Sequence, residues 1–118
     1  MEKILRQSLL YDFYGELLNE HQKSIYEDYV LNDIGISEIA AIKGVSRQSV
    51  HEIIKRCDNI LETYEAKLKL MSKFLETKQL VKEIHSITKE FSSIETSKEE
   101  MVLINRINEI SNKIIEEL

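Results

Sequence analysis

Proline and tryptophan are both absent from these 118 residues, and glycine occurs only three times, always before residue 45. Without periodic glycine or proline the chain is neither collagen-like nor a proline-rich linker, and it lacks the turn residues of a strand-dense fold. No window comes near the roughly 20 apolar residues of a membrane-spanning helix. The opening Met-Glu-Lys-Ile-Leu-Arg-Gln carries charge where a signal peptide needs an apolar stretch. Cys57 has no partner for an intrachain disulfide, which suits a reducing compartment. A soluble, cytoplasmic protein is therefore expected. The net charge of −5 leaves no broad basic face for coating nucleic acid or anionic lipid indiscriminately.

What the chain does have is apolar residues, 42% of the total, in helical spacing. Without proline, the strongest helix breaker, long helices can run on, and the fold class reads as all-α. Leu5, Leu9, Leu10, Phe13, Tyr14, Leu17 and Leu18 recur at three- and four-residue steps and predict a helix over Ile4–Leu18. Asn19 and Gln22 form a capping-box pattern for a second helix, which carries Ile25, Tyr26, Tyr29 and Val30. Ser37 is placed to cap a short third helix, Glu38–Lys43, which Gly44 ends by supplying a positive φ. Ser46 caps a fourth helix starting at Arg47. Val50, Ile54, Cys57, Leu61, Tyr64, Leu68, Met71 and Leu75 then follow a 4,3 heptad alternation, predicting one long helix over 47–76, on the order of 45 Å. The stripe slips at 76–79, resumes at Leu80, Ile84, Ile87, Phe91 and Ile94, and stops at a polar joint, Glu95-Thr96-Ser97-Lys98. Ser97 and Glu100 open a last helix striped with Leu103, Ile107, Ile110, Ile114 and Leu118, flanked by Met101 and Ile104.

Residues 36–57 meet the requirements of a helix-turn-helix. Ala40 is small where two steeply crossing helices must touch, and Gly44 is free to turn. Val45 plugs the turn, and Val50, Ile53 and Ile54 seat the second helix. Together with Tyr11-Asp12-Phe13-Tyr14, the Gln22–Tyr29 helix, Gly44-Val45-Ser46-Arg47-Gln48-Ser49-Val50 and Tyr64-Glu65-Ala66-Lys67-Leu68, this stretch resembles the bacterial YlxM family. Members of that family are helix-turn-helix proteins similar to region 4 of sigma factors. The resemblance covers roughly residues 4–75 and implies a small regulatory protein. Because family members are encoded beside the signal recognition particle GTPase, it also implies a link to components of that particle.

The side chains expected to meet nucleic acid are Lys43 on the turn, Ser46, Arg47, Gln48, Ser49, His51 and Lys55, with Arg56 on the flank. Arg pairs with guanine O6 and N7, and Gln with adenine N6 and N7, from the first turn of a recognition helix. Serines and lysines suit phosphate. Residues 36–57 carry +2 while residues 1–35 carry −4, so the motif is locally basic in an acidic chain. Glu52 opposes that role, and about four cations per subunit predict a shallow salt dependence. DNA is the expected partner, with structured RNA or a protein surface as the alternative. A helix-turn-helix that serves only to pack helices also fits the pattern.

No catalytic residue, metal ligand or cofactor is expected. His21, His51 and His85 stand far apart without a ligand spacing, and no glycine-rich phosphate loop occurs. Cys57 sits in the apolar stripe as an inert thiol, and the aromatic cluster of Tyr11, Phe13, Tyr14, Tyr26 and Tyr29 reads as core rather than as a base-stacking platform. The chain divides into a reader, 1–57, and a helical extension, 58–118. The far half of the stripe (Leu61, Tyr64, Leu68, Met71 and Leu75) is the expected dimerisation seam, burying with it the stripes at 80–94 and 103–118. An intrachain bundle, with the last two helices folded back on the long one, is the alternative.

Overall fold

The computed structural model describes residues 1–92, 94 and 97–118. Six helices follow in order: α1 Lys3–Tyr14, α2 Glu20–Val30, α3 Ile36–Lys43, α4 Arg47–Leu68, α5 Leu70–Ser92 and α6 Lys98–Glu116. The described residues contain no strand. The chain forms two compact units, Met1–Met71 and Ser72–Leu118.

In the first unit α1, α2 and α3 all pack on α4. Leu10, Ile25, Tyr26, Ile39, Val50 and Cys57 fill its core, and Ala40 is buried as the helix crossing requires. The α helix at the N-terminus stops at Tyr14, earlier than Leu18, and a 3₁₀ turn, Gly15–Leu17, completes it. Gly15 is required there by space: a Cβ would lie 2.8 Å from the Tyr11 ring. The Asn19–Gln22 capping box forms with both bonds, 2.8 and 3.1 Å. The α3 cap is Gly35, not Ser37; the helix begins at Ile36, which leaves Ser37 inside its first turn.

The long helix does not run to 76. Lys69 takes the left-handed conformation (φ 56°), and α5 restarts at Leu70. Capping groups distant in sequence hold this break. The Tyr14 hydroxyl donates to Glu65 Oε1 (2.6 Å) and accepts from the Leu70 amide (3.1 Å), while the Met71 amide donates to the same Glu65 oxygen (3.0 Å). Two of the orphan amides at the start of α5 are thereby satisfied. Tyr14, Glu65 and Met71 are buried, and Tyr64 stacks on Tyr14 at 6.0 Å. Of the expected dimerisation seam, Leu61 and Met71 therefore lie in this core, Tyr64 and Leu75 are half-buried, and Leu68 is exposed. The expected boundary after Cys57 falls inside α4.

In the second unit, the slip at 76–79 does not interrupt α5, whose backbone stays helical through it. Glu95 and Thr96 of the expected joint lie outside the described residues. Ser97 caps α6, its oxygen accepting from the Glu100 amide at 3.2 Å. Among the described residues of this unit, Val81, Thr88, Ile104 and Ser111 are buried, and Thr88 Oγ1 donates to Asn108 Oδ1 (2.7 Å) to tie α5 to α6. Leu103, Ile107, Ile110 and Ile114, expected as a stripe, stand exposed instead.

Candidate nucleic-acid interface

Gly44 has φ 68°, and the Val45 amide closes the turn onto the Ala40 carbonyl at 3.0 Å. Only glycine takes this backbone conformation without strain. Ser46 accepts from the Ser49 amide (3.0 Å), so the first turn of α4 is capped by its own side chain. The Ser46 hydroxyl also donates to Ser49 Oγ (2.9 Å), so the two serines are partnered to each other while remaining at the surface.

Arg47, Gln48, His51 and Lys55 are exposed and follow one edge of α4 from its N-terminus. Gln48, His51 and Lys55 also border a shallow groove of about 540 Å³, together with Lys3 and Tyr29 from α1 and α2. Its wall is fixed by Asp58, which accepts from Gln7 Nε2 (2.9 and 3.2 Å) and from the Tyr26 hydroxyl (2.5 Å). Burial, reinforced by the Asp58 carboxylate, pushes the Tyr26 phenol far up, so it stays a donor. Lys3 and the Gln7–Asp58–Tyr26 network were not expected here. Gln7 gives no signal in the sequence, because its partner stands in another helix.

Lys43, expected on the turn, is drawn away from this edge, whereas Arg56 keeps to the flank. Lys43 is half-buried and donates to Ser24 Oγ at 2.6 Å, which turns its ammonium toward α2. Arg56 lies further round α4, bordering a separate hollow with Asn59, Thr63 and Lys67. Glu52, which borders the groove, accepts from Gln48 Nε2 at 3.3 Å. Among the described residues Arg47, Lys55 and Arg56 make no ion pair. No group of three or more metal-ligating side chains comes together among those residues, and no helix among them is long and apolar enough to cross a membrane.

The profile of the family described as "Putative helix-turn-helix protein, YlxM / p13 like" matches residues 1–102. The chain belongs to this family, UPF0122. A UPF0122 protein of Clostridium novyi (strain NT) is 36% identical over 116 residues, covering 98% of each chain. One from Caldanaerobacter subterraneus subsp. tengcongensis is 43% identical over 83 residues, 70% of this chain and 71% of the relative. One from Bacillus pumilus (strain SAFR-032) is 42% identical over 95 residues, 80% of this chain and 86% of the relative. Membership of UPF0122 supports, at a coarse level, a nucleic-acid-binding regulatory role for the helix-turn-helix.

Proposed function

We propose that this protein is a DNA-binding regulator whose α4 enters the major groove. Arg47 and Gln48 would read base edges, and Ser46, Ser49 and Lys55 would contact phosphate. The observation that carries this reading is the edge of Arg47, Gln48, His51 and Lys55, exposed directly after the Gly44 turn. With so few cations a single reader binds weakly, so two copies acting on successive half-sites about 34 Å apart are part of the proposal. The test is selection of bound sequences from a random duplex pool at low salt, repeated with Arg47→Ala/Gln48→Ala. The native protein should enrich a motif, and the variant should lose it while keeping its far-UV helix signal. If no motif is enriched, DNA reading fails.

A second reading rests on Glu52, an acidic group in the middle of the same edge that opposes close phosphate packing. In it the edge contacts structured RNA or a protein of the signal recognition particle system, as an adaptor without DNA sequence preference. Selection from a random RNA pool separates the two.

A further inference from the structure

The second unit carries a heptad code that one hairpin does not use up. Along α5, Leu80, Ile84, Ile87 and Phe91 occupy alternating d and a positions. Along α6, Leu103, Ile107, Ile110 and Ile114 do the same. In this register the four buried residues described in the unit, Val81, Thr88, Ile104 and Ser111, all fall at e positions. The hairpin is therefore closed by its e positions, two of them polar, while seven of the eight a and d side chains remain 39 to 66% exposed. Between the helices on that outer face runs an apolar furrow of about 250 Å³, lined by Ile87, Phe91, Leu103 and Ile107 among others. This is half of a four-helix bundle, in which each helix packs against two neighbours.

The g positions indicate what the other half is. Alongside the stripes they hold Glu83 and Glu90 on α5 and Arg106 and Lys113 on α6; Glu76 and Glu99, the g positions before them, precede Leu80 and Leu103, where the stripes begin. One helix thus borders the apolar face with acid and the other with base, so the face is complementary to itself, as a two-fold interface requires. The register agrees. Thr88 meets Asn108 within the hairpin, and α5 and α6 run antiparallel about that level. At the same antiparallel offset, Glu90 faces Arg106 and Glu83 faces Lys113 of a second copy whose α6 lies along this α5. The existing contacts of these cations are weak: Arg106 to Glu109 at 3.2 Å and Lys113 to Glu117 at 4.0 Å, both on the exposed surface of one helix. The seven exposed side chains offer on the order of 700 Å² per copy, close to the roughly 800 Å² per partner of a stable specific interface.

We infer that a second copy of this chain occupies this face, α5 of each along α6 of the other, with the a and d residues as core and the g residues selecting the pairing. The seam is thus 80–91 with 103–114, not the stretch from Leu61 to Leu75. It supplies the pairing that the two-copy reading above calls for, yet base reading by a single copy can survive its failure, because it involves none of Arg47, Gln48, His51 and Lys55.

The test uses the full chain in sedimentation and light scattering over a concentration series. The native protein should approach twice 13.8 kDa. Glu83→Lys/Glu90→Lys and Arg106→Glu/Lys113→Glu, each alone, places like charges across the seam and should weaken self-association at least about tenfold. An equimolar mixture restores opposite charges on both sides and should recover native association as a heterodimer. These positions are exposed, so both variants should keep the native far-UV signal. Ile107→Asp, aimed at the core, should give the monomer. A 13.8 kDa particle at every concentration overturns the inference. So does native-like association of either charge variant, or a mixture that fails to recover.

Discussion

Replacing Tyr14 by Phe deletes one oxygen from the place where α4 gives way to α5. That oxygen donates to the buried Glu65 carboxylate at 2.6 Å and accepts from the Leu70 amide at 3.1 Å. Burial and the Glu65 carboxylate both raise the Tyr14 phenol, so it remains a donor throughout the neutral range. A hydrogen bond to a charged group contributes about 1.5–3 kcal/mol, and a part-buried amide left without an acceptor costs about 1 kcal/mol more. Against this, the left-handed Lys69 can relax once the restart of α5 is no longer enforced, returning about 1 kcal/mol. The expected net loss for Tyr14→Phe is about 1.5–3 kcal/mol, a fall in melting midpoint on the order of 10 °C. Tyr11→Phe is the control, because its hydroxyl bonds Glu27 at an exposed site and its removal should cost less than about 1 kcal/mol. Urea unfolding measures both, and amide exchange at Leu70 and Met71 should quicken only in Tyr14→Phe. Equal losses in the two variants, with unchanged exchange at Leu70, would refute the assignment of these bonds as the cause of the break.

Two further outcomes concern titratable groups. Arg6 grips Glu62 through two bonds of 2.6 and 2.8 Å and holds its carboxyl below the usual range. Its stabilisation is therefore present above the unfolded carboxylate pKa and lost as pH falls through the folded value. Both groups are partly exposed, so Glu62→Gln should cost under about 1 kcal/mol near pH 7 and nothing near pH 2, and a constant difference between them would contradict the pairing. Cys57 is buried among α4 core residues, and burial pushes its thiol up to about 11. A thiol reagent at about pH 8 should leave the native protein unmodified and label it on unfolding; stoichiometric labelling of folded protein would place Cys57 at the surface.

Most local signals in the sequence are legible, the α3 cap (Gly35, not Ser37) and the end of α1 excepted, and distant ones are not. The Asn19–Gln22 box, the Gly44 turn and the Ser46 and Ser97 caps depend on groups within four residues of each other, and each forms as expected. The break at Lys69 was invisible because its caps come from Tyr14 and Glu65, while the heptad count runs through 64, 68, 71 and 75 without a fault. Periodicity likewise located the stripes of α5 and α6 but not which face closes the hairpin. Thr88 and Ser111 are polar and carry no hydrophobic signal, yet both are buried. On the candidate interface, Arg47, Gln48, His51 and Lys55 were readable from helical phase alone. Lys43 was not, because Ser24 in α2 captures its ammonium.

The bonds from Tyr14 and Glu65 to the amides of Leu70 and Met71 also decide where this chain can be divided. A fragment ending at Cys57 would discard Leu61, Glu65 and Met71, leaving the Tyr14 ring and the apolar side of α1 open to water. One ending at Leu68 would keep α4 whole but forfeit the two amides that cap Tyr14 and Glu65. The smallest self-sufficient piece must borrow the opening turn of the next helix, so grafting this helix-turn-helix unit onto another protein means carrying that turn along with it.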